Sequence, residues 1–209
     1  MNLELAGADV QLFAERALFW PARRTLFVAD LHWGKRETFV VEGIPLPDGL
    51  LTEELERLRI LCARTRAVRV VVLGDLIHSR SGITDAVVKE VARFRQEGPE
   101  FVLIRGNHDR HLPALPKSWC IEERGDSMEA PFVLTHVPRE DPAGYVLAGH
   151  IHPAVRLRGR GDGVRLPCFH IGPRCTVLPA FSEFTGGAQI ARGPGDRVVA
   201  IAESTLIEV

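Results

Sequence analysis

Five short apolar segments of the sequence each run into residues of the types that bind metal ions. Short apolar runs bounded by polar turn residues are typical of strands buried on both faces. Helical patterns separate the first three segments, so we predict βαβ units and a largely parallel sheet. The segments, each with the polar residues that follow it, are 26–29 (Asp30, His32), 70–73 (Asp75, His78), 101–104 (Asn107, His108), 132–134 (His136) and 145–148 (His150, His152).

Two helices are predicted from apolar residues that recur with a period of 3.6. The first spans residues 52–67, and charged side chains fill its other face. The second spans residues 84–97 and stops at Gly98-Pro99, a sequence that cannot continue a helix. The apolar faces are Leu51, Leu55, Leu58 and Cys62 in the first helix and Val87, Val91 and Phe94 in the second.

The rest of the chain shows only short strand patterns separated by turn residues, which predicts a second sheet after about residue 118. The Gly-rich segment 159–163 has the composition of a hairpin tip. No internal repeat or linker-like tract divides the chain, so we predict one domain over residues 1–209. Two further strands are predicted near the start of the chain, at 9–13 and 17–20. The further strands predicted after residue 118 are 165–171, 176–178, 188–191 and 197–201.

The composition excludes several classes of protein. Hydrophobic residues make up 45% and charged residues 25% of the 209 residues, as in globular proteins. No apolar run approaches the roughly 20 residues that cross a bilayer, and residues 1–11 lack a secretory signal pattern. The four cysteines form no CxxC pair, which predicts reduced thiols and a cytoplasmic location. The net charge of −1 excludes a uniformly basic nucleic-acid binder, so a phosphate site must be local.

The candidate metal ligands are expected to lie together, because the carboxyl ends of parallel strands meet at one edge of a sheet. Asp30 and His32 are two residues apart, as are His150 and His152, so each pair would point the same way if it continued its strand. A glycine directly precedes three of the candidate ligands, where it would let the backbone approach the site closely.

The candidate ligands are Asp, Asn and His side chains without Cys, which suits manganese, iron or zinc better than calcium or a structural zinc. They are too many for one tetrahedral ion, whereas two ions sharing a carboxylate would use them all. Such a pair activates water and neutralises a phosphate, so phosphoester hydrolysis is the expected chemistry. Each residue alone is more often a solvated turn residue, but the five blocks together are not explained that way. The candidate ligands are Asp30, His32, Asp75, Asn107, His136, His150 and His152.

The motifs Asp-x-His, Gly-Asp-x-x-His, Gly-Asn-His-Asp, Thr-His and Gly-His-x-His, in that order, resemble the calcineurin-like metallophosphoesterase superfamily. The resemblance spans residues 30–152 and implies an α/β fold, a four-layer αββα sandwich of two mixed β-sheets flanked by helices. It implies that His108 aids the leaving oxygen. The position of His108 directly after a candidate ligand supports this role, because Asp109 could keep the ring neutral or protonated; a structural residue outside the site is the alternative. The implied ligands are Asp30, His32, Asp75 and His152 for one ion and Asp75, Asn107, His136 and His150 for the other, with Asp75 bridging.

Further segments resemble the bacterial DNA ligase-associated metallophosphoesterases. They are residues 19–22 (Phe-Trp-Pro-Ala), 31–35 (Leu-His-Trp-Gly-Lys) and 178–187 (Leu-Pro-Ala-Phe-Ser-Glu-Phe-Thr-Gly-Gly). This resemblance covers nearly the whole chain and implies a manganese-dependent phosphodiesterase that acts as a single-strand DNA endonuclease. It also implies association with an ATP-dependent DNA ligase and a helicase in DNA repair. The residues of segment 178–187 do not by themselves suggest a chemical role.

His78 distinguishes this chain from the serine/threonine phosphatases of the superfamily, which continue Gly-Asp-x-x-Asp-Arg-Gly. A histidine at this position, as in some nucleases of the superfamily, implies contact with the scissile phosphate or with DNA; a capping role is the alternative. Trp33 could stack on a base and Lys35 or Arg80 could meet phosphates, although a core aromatic and ordinary surface charges are simpler interpretations.

Two other functions stay open at this point. A small-molecule phosphatase or cyclic-nucleotide phosphodiesterase would use the same metal centre. A noncatalytic scaffold would use the same fold to bind proteins, but such proteins usually lose ligands, and all seven candidates are present here. The oligomeric state does not follow from the sequence.

Overall fold

The computed structural model describes residues 1–112, 114–158 and 163–209. Its first half forms a mixed sheet of seven strands in the order of the chain. Strands β1 to β4 pair antiparallel, and β4 to β7 pair parallel, as the βαβ pattern predicts. The strands are β1 (Asn2–Leu5), β2 (Ala8–Phe13), β3 (Ala17–Trp20), β4 (Thr25–Val28), β5 (Arg69–Val72), β6 (Glu100–Ile104) and β7 (Ile121–Arg124).

The second half forms the second mixed sheet, in the order β14-β11-β12-β13-β10-β9-β8, with β15 pairing to β12 and β16 to β15. β10 lies parallel to both β9 and β13, which places the ends of these strands at the same edge. The strands are β8 (Ser127–Glu129), β9 (Phe132–Leu134), β10 (Tyr145–Ala148), β11 (Pro153–Arg158), β12 (Gly163–Ile171), β13 (Cys175–Val177), β14 (Ala188–Gln189), β15 (Arg197–Ala202) and β16 (Thr205–Glu208).

The two sheets pack face to face over one apolar core. In β2, buried and more exposed residues alternate, as expected for a strand with one face on the core. Side chains from both sheets meet in the same cluster, including Phe27 and Val71 from the first sheet and Phe132, Leu147 and Phe169 from the second. This shared core fixes the edge of one sheet against the edge of the other.

Three helices accompany the first sheet: α1 (Lys35–Val41), α2 (Leu50–Thr65) and α3 (Asp85–Phe94). Helix α2 begins and ends two residues before the predicted helix, and it buries Leu55, Leu58 and Leu61 against the outer face of the sheet. Thr84 caps α3 by accepting a hydrogen bond from the Val87 amide at 3.3 Å. Helix α1 was not predicted, because only Thr38 of its seven residues is buried and no apolar stripe marks it.

The two mixed sheets with flanking helices confirm the predicted α/β sandwich. The helices all lie in the first half, and no α-helix follows α3 in the described ranges. A small apolar cluster of Val133, Val146 and Ala148 is buried on the opposite face of the second sheet. None of the helices that the structure describes combines the length and the apolar character needed to cross a bilayer.

Eleven strands match predicted ones, and β1, β7, β8, β11 and β16 were missed. β7 shows why: this edge strand is mostly charged, since it pairs only with β6 and does not need to be apolar on both faces. β11 and β12 pair antiparallel around the predicted hairpin tip, whose residues 159–162 lie outside the described residues.

Candidate metal centre

All seven predicted ligands lie within four residues of the ends of β4, β5, β6, β9 and β10. The loops after β4 and β5 stay paired, because the Asp30 amide donates to the Gly74 carbonyl at 3.1 Å and the His32 amide to the Asp75 carbonyl at 3.0 Å. The ends of the parallel strands of both sheets therefore meet at one site, as the topology requires.

The backbone at this site is left-handed. Five candidate ligands have φ between 47° and 74°, which non-glycine residues rarely adopt and which costs about 1–3 kcal/mol each. The expectation that each pair continues its strand is therefore wrong, since β4 ends at Val28, β10 ends at Ala148, and both pairs follow in left-handed conformation. Asp30 and His32 still point to one location, whereas His150 and His152 belong to different ligand groups. The five residues are Asp30, His32, Asp75, His150 and His152.

One ligand group consists of Asp30, His32 and His152. The His152 Nε2 atom lies 3.4 Å from Asp30 Oδ1 and 3.5 Å from His32 Nε2. Asp30 is fully buried and His32 nearly so, and the Asp30 carboxylate also accepts a hydrogen bond from the His150 amide at 3.0 Å. This last contact fixes the carboxylate between the two sheets.

The second group consists of Asp75, His136 and His150. The His136 Nε2 atom lies 3.3 Å from Asp75 Oδ2, 3.1 Å from His150 Nδ1 and 2.8 Å from Asn107 Oδ1. The groups adjoin, because His136 Nδ1 is also 3.9 Å from Asp30 Oδ1.

These separations fit ion binding. Two ligand atoms about 2.1 Å from one ion, at 90–109° to each other, lie about 3.0–3.4 Å apart. The Nδ1 atoms of His136 and His152 donate to the carbonyls of Leu73 and Gly186 at 2.9 and 3.0 Å, which leaves each Nε2 free to bind a cation. The lone pair of a neutral His136 Nε2 faces other acceptor atoms, and a shared cation removes that conflict.

The charges agree with this arrangement. Burial opposes protonation of His136 and His152, but hydrogen bonds and charge from Asp75 and Asp30 raise the pKa of both rings. Burial lowers the pKa of His32 to about 3, so that ring is neutral and able to bind a metal. The charges of Asp75 and Asp30 each act on histidines of both groups.

Glycines let the loops approach the site. A Cβ atom on Gly74, which has φ of 84°, would lie 2.1 Å from His136 Nδ1. One on Gly106 would lie 2.2 Å from Asp75 Oδ1. Both close approaches confirm the role predicted for the glycines that precede candidate ligands.

His108 and His78 lie together beside the two groups. The His108 Nδ1 atom is 3.0 Å from the His78 carbonyl oxygen, and His108 Nε2 is 3.9 Å from Asp75 Oδ2. The His78 ring lies 5.6 Å from the His32 ring and 6.0 Å from the His108 ring, between centroids. Burial lowers the pKa of His78, and the nearby Lys35 charge lowers it further.

Asp109 has a different role from the one expected. Its carboxylate accepts hydrogen bonds from the amides of Asp75 and Gly106, both at 2.8 Å, and from that of Leu76 at 3.1 Å. The loop after β5 is thereby bound to the loop that carries Asn107 and His108. The Gly-Asn-His-Asp motif marked Asp109 as a residue of the site, but the sequence alone predicted that its carboxylate would act on His108 and not on these amides.

Segment 178–187 lies behind the metal centre, a role that the sequence did not suggest. The Gly186 carbonyl orients His152, and the amides of Phe181 and Ser182 donate to the carbonyls of Ala29 and Asp30 at 2.7 and 3.4 Å. Lys35 binds the Phe184 carbonyl and is 3.3 Å from Thr185 Oγ1, so its amine holds the segment.

The remaining candidates lie apart from the two groups. Trp33 is buried against Trp119, with ring centroids 5.8 Å apart, which agrees with the core interpretation. Arg80 is exposed, as its surface interpretation requires. Of the two histidines without a motif, His111 is exposed and His170 pairs with Asp196 at 2.8 Å.

Comparisons with known proteins agree with this geometry. The sequence profile of the calcineurin-like phosphoesterase family matches residues 23–184. The crystal structure of Pseudomonas putida nuclease MPE is 36% identical, covers 99% of both chains and superposes with a TM-score of 0.88. Yfce, a phosphoesterase from E. coli, is 18% identical over 88% of this chain and 97% of its own, with a TM-score of only 0.43. No curated protein matches the sequence.

The profile match contains all five strands that lead to candidate ligands and reaches into segment 178–187, and the nuclease is similar over the whole length. With its two Asp/His groups at strand ends, the chain belongs to the calcineurin-like phosphoesterase family and is a metal-dependent phosphoesterase.

Proposed function

We propose that this protein is a dinuclear metal-dependent phosphodiesterase that cuts single-stranded DNA internally. The observation that carries the proposal is the pair of adjoining ligand groups, with His108 and His78 beside them. The 36% identity to a nuclease over the whole chain supports a nucleic acid substrate.

We propose the ligand assignment that the family resemblance implies, and the distances within each group support it. Asp30, His32 and His152 would hold one ion, and Asn107, His136 and His150 the other, with Asp75 bridging both. Two bound divalent ions would lower the pKa of water and neutralise charge on a phosphate. Aspartate, asparagine and imidazole ligands suit manganese, with iron and zinc as the alternatives.

His108 and His78 are the side chains placed to act on the leaving oxygen and its phosphate. His108 donates its Nδ1 proton to the His78 carbonyl, so the ring orientation is fixed and Nε2 faces the centre. A protonated His108 can give its Nε2 proton to the departing alkoxide, as a general acid does. The His78 side chain lies close enough to position a phosphate or the strand that carries it.

A wider role follows from the resemblance of segments 19–22, 31–35 and 178–187. We propose action in DNA repair, in association with an ATP-dependent DNA ligase and a helicase. The four free cysteines are consistent with the proposed cytoplasmic location. The core shared by both sheets supports a single domain over residues 1–209.

The test is a metal series on circular single-stranded DNA, with the ion-free protein as the starting point. We expect manganese to restore cutting and linear DNA to be the first product. Exonucleases leave a circle intact, so this substrate reports internal cutting alone. A circle that persists with every ion would contradict the proposed function.

Two further substrates separate the alternatives. A diesterase hydrolyses bis(p-nitrophenyl) phosphate faster than p-nitrophenyl phosphate, whereas a small-molecule phosphatase shows the reverse order. We expect His78→Ala to lose most diesterase activity while both ions stay bound, measured by metal analysis of the purified variant. Full turnover of the diester by this variant would contradict the role of His78.

A further inference from the structure

A cavity of about 170 Å³ adjoins the metal centre, between α1, α2 and segment 178–187. His32 belongs to its wall, so a ligand in the cavity would lie next to a phosphate held at the metals. Trp33 forms part of the buried wall, whereas Phe184 is 48% exposed. The volume greatly exceeds the roughly 10–15 Å³ that one water molecule requires.

Unpaired polar atoms are concentrated at this cavity. Seven buried side-chain nitrogen and oxygen atoms lack a hydrogen-bond partner within the described ranges, and four of them belong to residues that line it. Trp33 is only 2% exposed, and its indole N–H lies close enough to Glu54 to lower the pKa of that carboxyl group, although the two form no hydrogen bond of normal geometry. Because buried polar groups are nearly always paired, this concentration points to a polar ligand. The four atoms are His32 Nδ1, Trp33 Nε1, Glu54 Oε1 and Arg57 Nε.

The other properties of the cavity restrict the class of ligand. Its side chains include four carboxyl groups and three cations, and two of the cations, Arg36 and Arg57, already pair with Glu37 and Glu183, which disfavours a second phosphate. Leu46, Leu50, Leu51 and Phe184 give it apolar walls, which bound water alone would not need. A nucleobase has an apolar face for such walls and a polar edge for the unpaired atoms.

We propose that this cavity is a nucleobase subsite that holds one base of a single-stranded substrate beside the bond that is cut. The proposal rests on the nuclease function proposed above and adds a preference for an intact base at one position. Glu54 is the side chain that forms hydrogen bonds with the polar edge of the base. Burial raises the pKa of Glu54 to about 8, so its carboxyl group can donate as well as accept at neutral pH.

The test moves one abasic position along a labelled single-stranded oligonucleotide with the manganese-loaded protein. An abasic residue keeps the phosphodiester and removes only the base. At one position relative to the cut, we expect kcat/KM to fall about tenfold, the order expected for the loss of one stacked base. At other positions the cleavage rate stays close to that of the unmodified strand.

Two variants connect the effect with the cavity. Glu54→Gln is nearly isosteric, and we expect it to reduce the difference in rate between the four bases at that position. Leu50→Trp fills the cavity and lowers the ratio of oligonucleotide cleavage to bis(p-nitrophenyl) phosphate hydrolysis. The control is Glu56→Gln, which alters an exposed carboxylate of α2 paired with Arg59 at 2.6 Å and leaves both readouts unchanged.

The outcomes are distinguishable. Cleavage that is insensitive to every abasic position, with variants that match the control, overturns the subsite and leaves the nuclease function intact. Failure of the wild-type protein to cut any single strand overturns the nuclease function and the subsite with it.

Discussion

Replacing Asp109 by asparagine tests how the metal centre is held in shape. Asp109 is 3% exposed, and its Oδ2 atom accepts the amides of both Asp75 and Gly106 at 2.8 Å. Asparagine keeps only one acceptor oxygen, so its NH₂ group must face either the amides of Asp75 and Gly106 or those of Leu76 and Ile77. In either orientation two buried N–H groups lose their acceptor, and the contact between the loops after β5 and β6 is weakened.

The size of the effect follows from these contacts. Each hydrogen bond to a buried charged acceptor contributes about 1.5–3 kcal/mol, so two lost bonds cost about 3–6 kcal/mol. Burial raises the pKa of Asp109, which shows that burying its charge is unfavourable, and the neutral amide avoids that cost. We therefore expect a net loss of about 2–4 kcal/mol, a large part of the about 5–15 kcal/mol that stabilises a typical domain.

Urea unfolding in EDTA, followed by circular dichroism and tryptophan fluorescence, measures this loss without a contribution from bound metal. Asp126→Asn is the matched control: this exposed carboxylate pairs with Arg139 at 2.8 Å, and such pairs contribute about 0–1 kcal/mol. We also expect Asp109→Asn to bind manganese more weakly. A stability within about 1 kcal/mol of wild type would refute the reasoning, because bonds of this kind contribute more than that.

Three further predictions concern the site. His108→Ala should lower kcat on an aryl phosphodiester by about 10²–10⁴-fold with the metal content unchanged, as loss of a general acid does; near-normal turnover would exclude that role. Gly187→Ala should weaken metal binding about 10–100-fold, measured by titration calorimetry. The new Cβ would lie 2.8 Å from the His152 carbonyl oxygen and would displace the neighbouring Gly186 carbonyl, which orients the His152 ring. Gly186→Ala is the control: its Cβ would meet nothing within 4 Å, so metal binding should not change. In the ion-free protein, carboxylates raise the pKa of His136 and His152 despite their burial, so protons compete with the metal. Affinity should fall from pH 8 to pH 6 by up to about tenfold per pH unit for each proton displaced, and a pH-independent affinity would contradict this.

The sequence predicted eleven of the described strands, two of the helices and the candidate ligands that the structure brings together. Buried parallel strands must be apolar on both faces, so segments such as 70–73 are visible without a structure. Helix α2 was visible because its apolar residues repeat along one face. The ligands followed from one topological rule, that the carboxyl ends of parallel strands meet, combined with the residue types at those ends.

The features that lack such a pattern were decided by tertiary structure. Helix α1 has one buried residue, and β7 lies at a sheet edge, so neither needs the periodicity that marks a buried element. The left-handed backbone at Asp30 and His32 is locally unfavourable and exists because the neighbouring loop fixes it through hydrogen bonds.

The contacts around the metal centre depend on residues far apart in the chain. Asp109 binds the Asp75 amide across 34 positions, and His152 meets the Gly186 carbonyl across the same separation. The cavity beside His32 forms where segment 178–187 meets α2, and no local pattern encodes that meeting. Local periodicity determines which residues are buried and where strands end, whereas the partner of each polar group is decided only when both sheets pack on their common core.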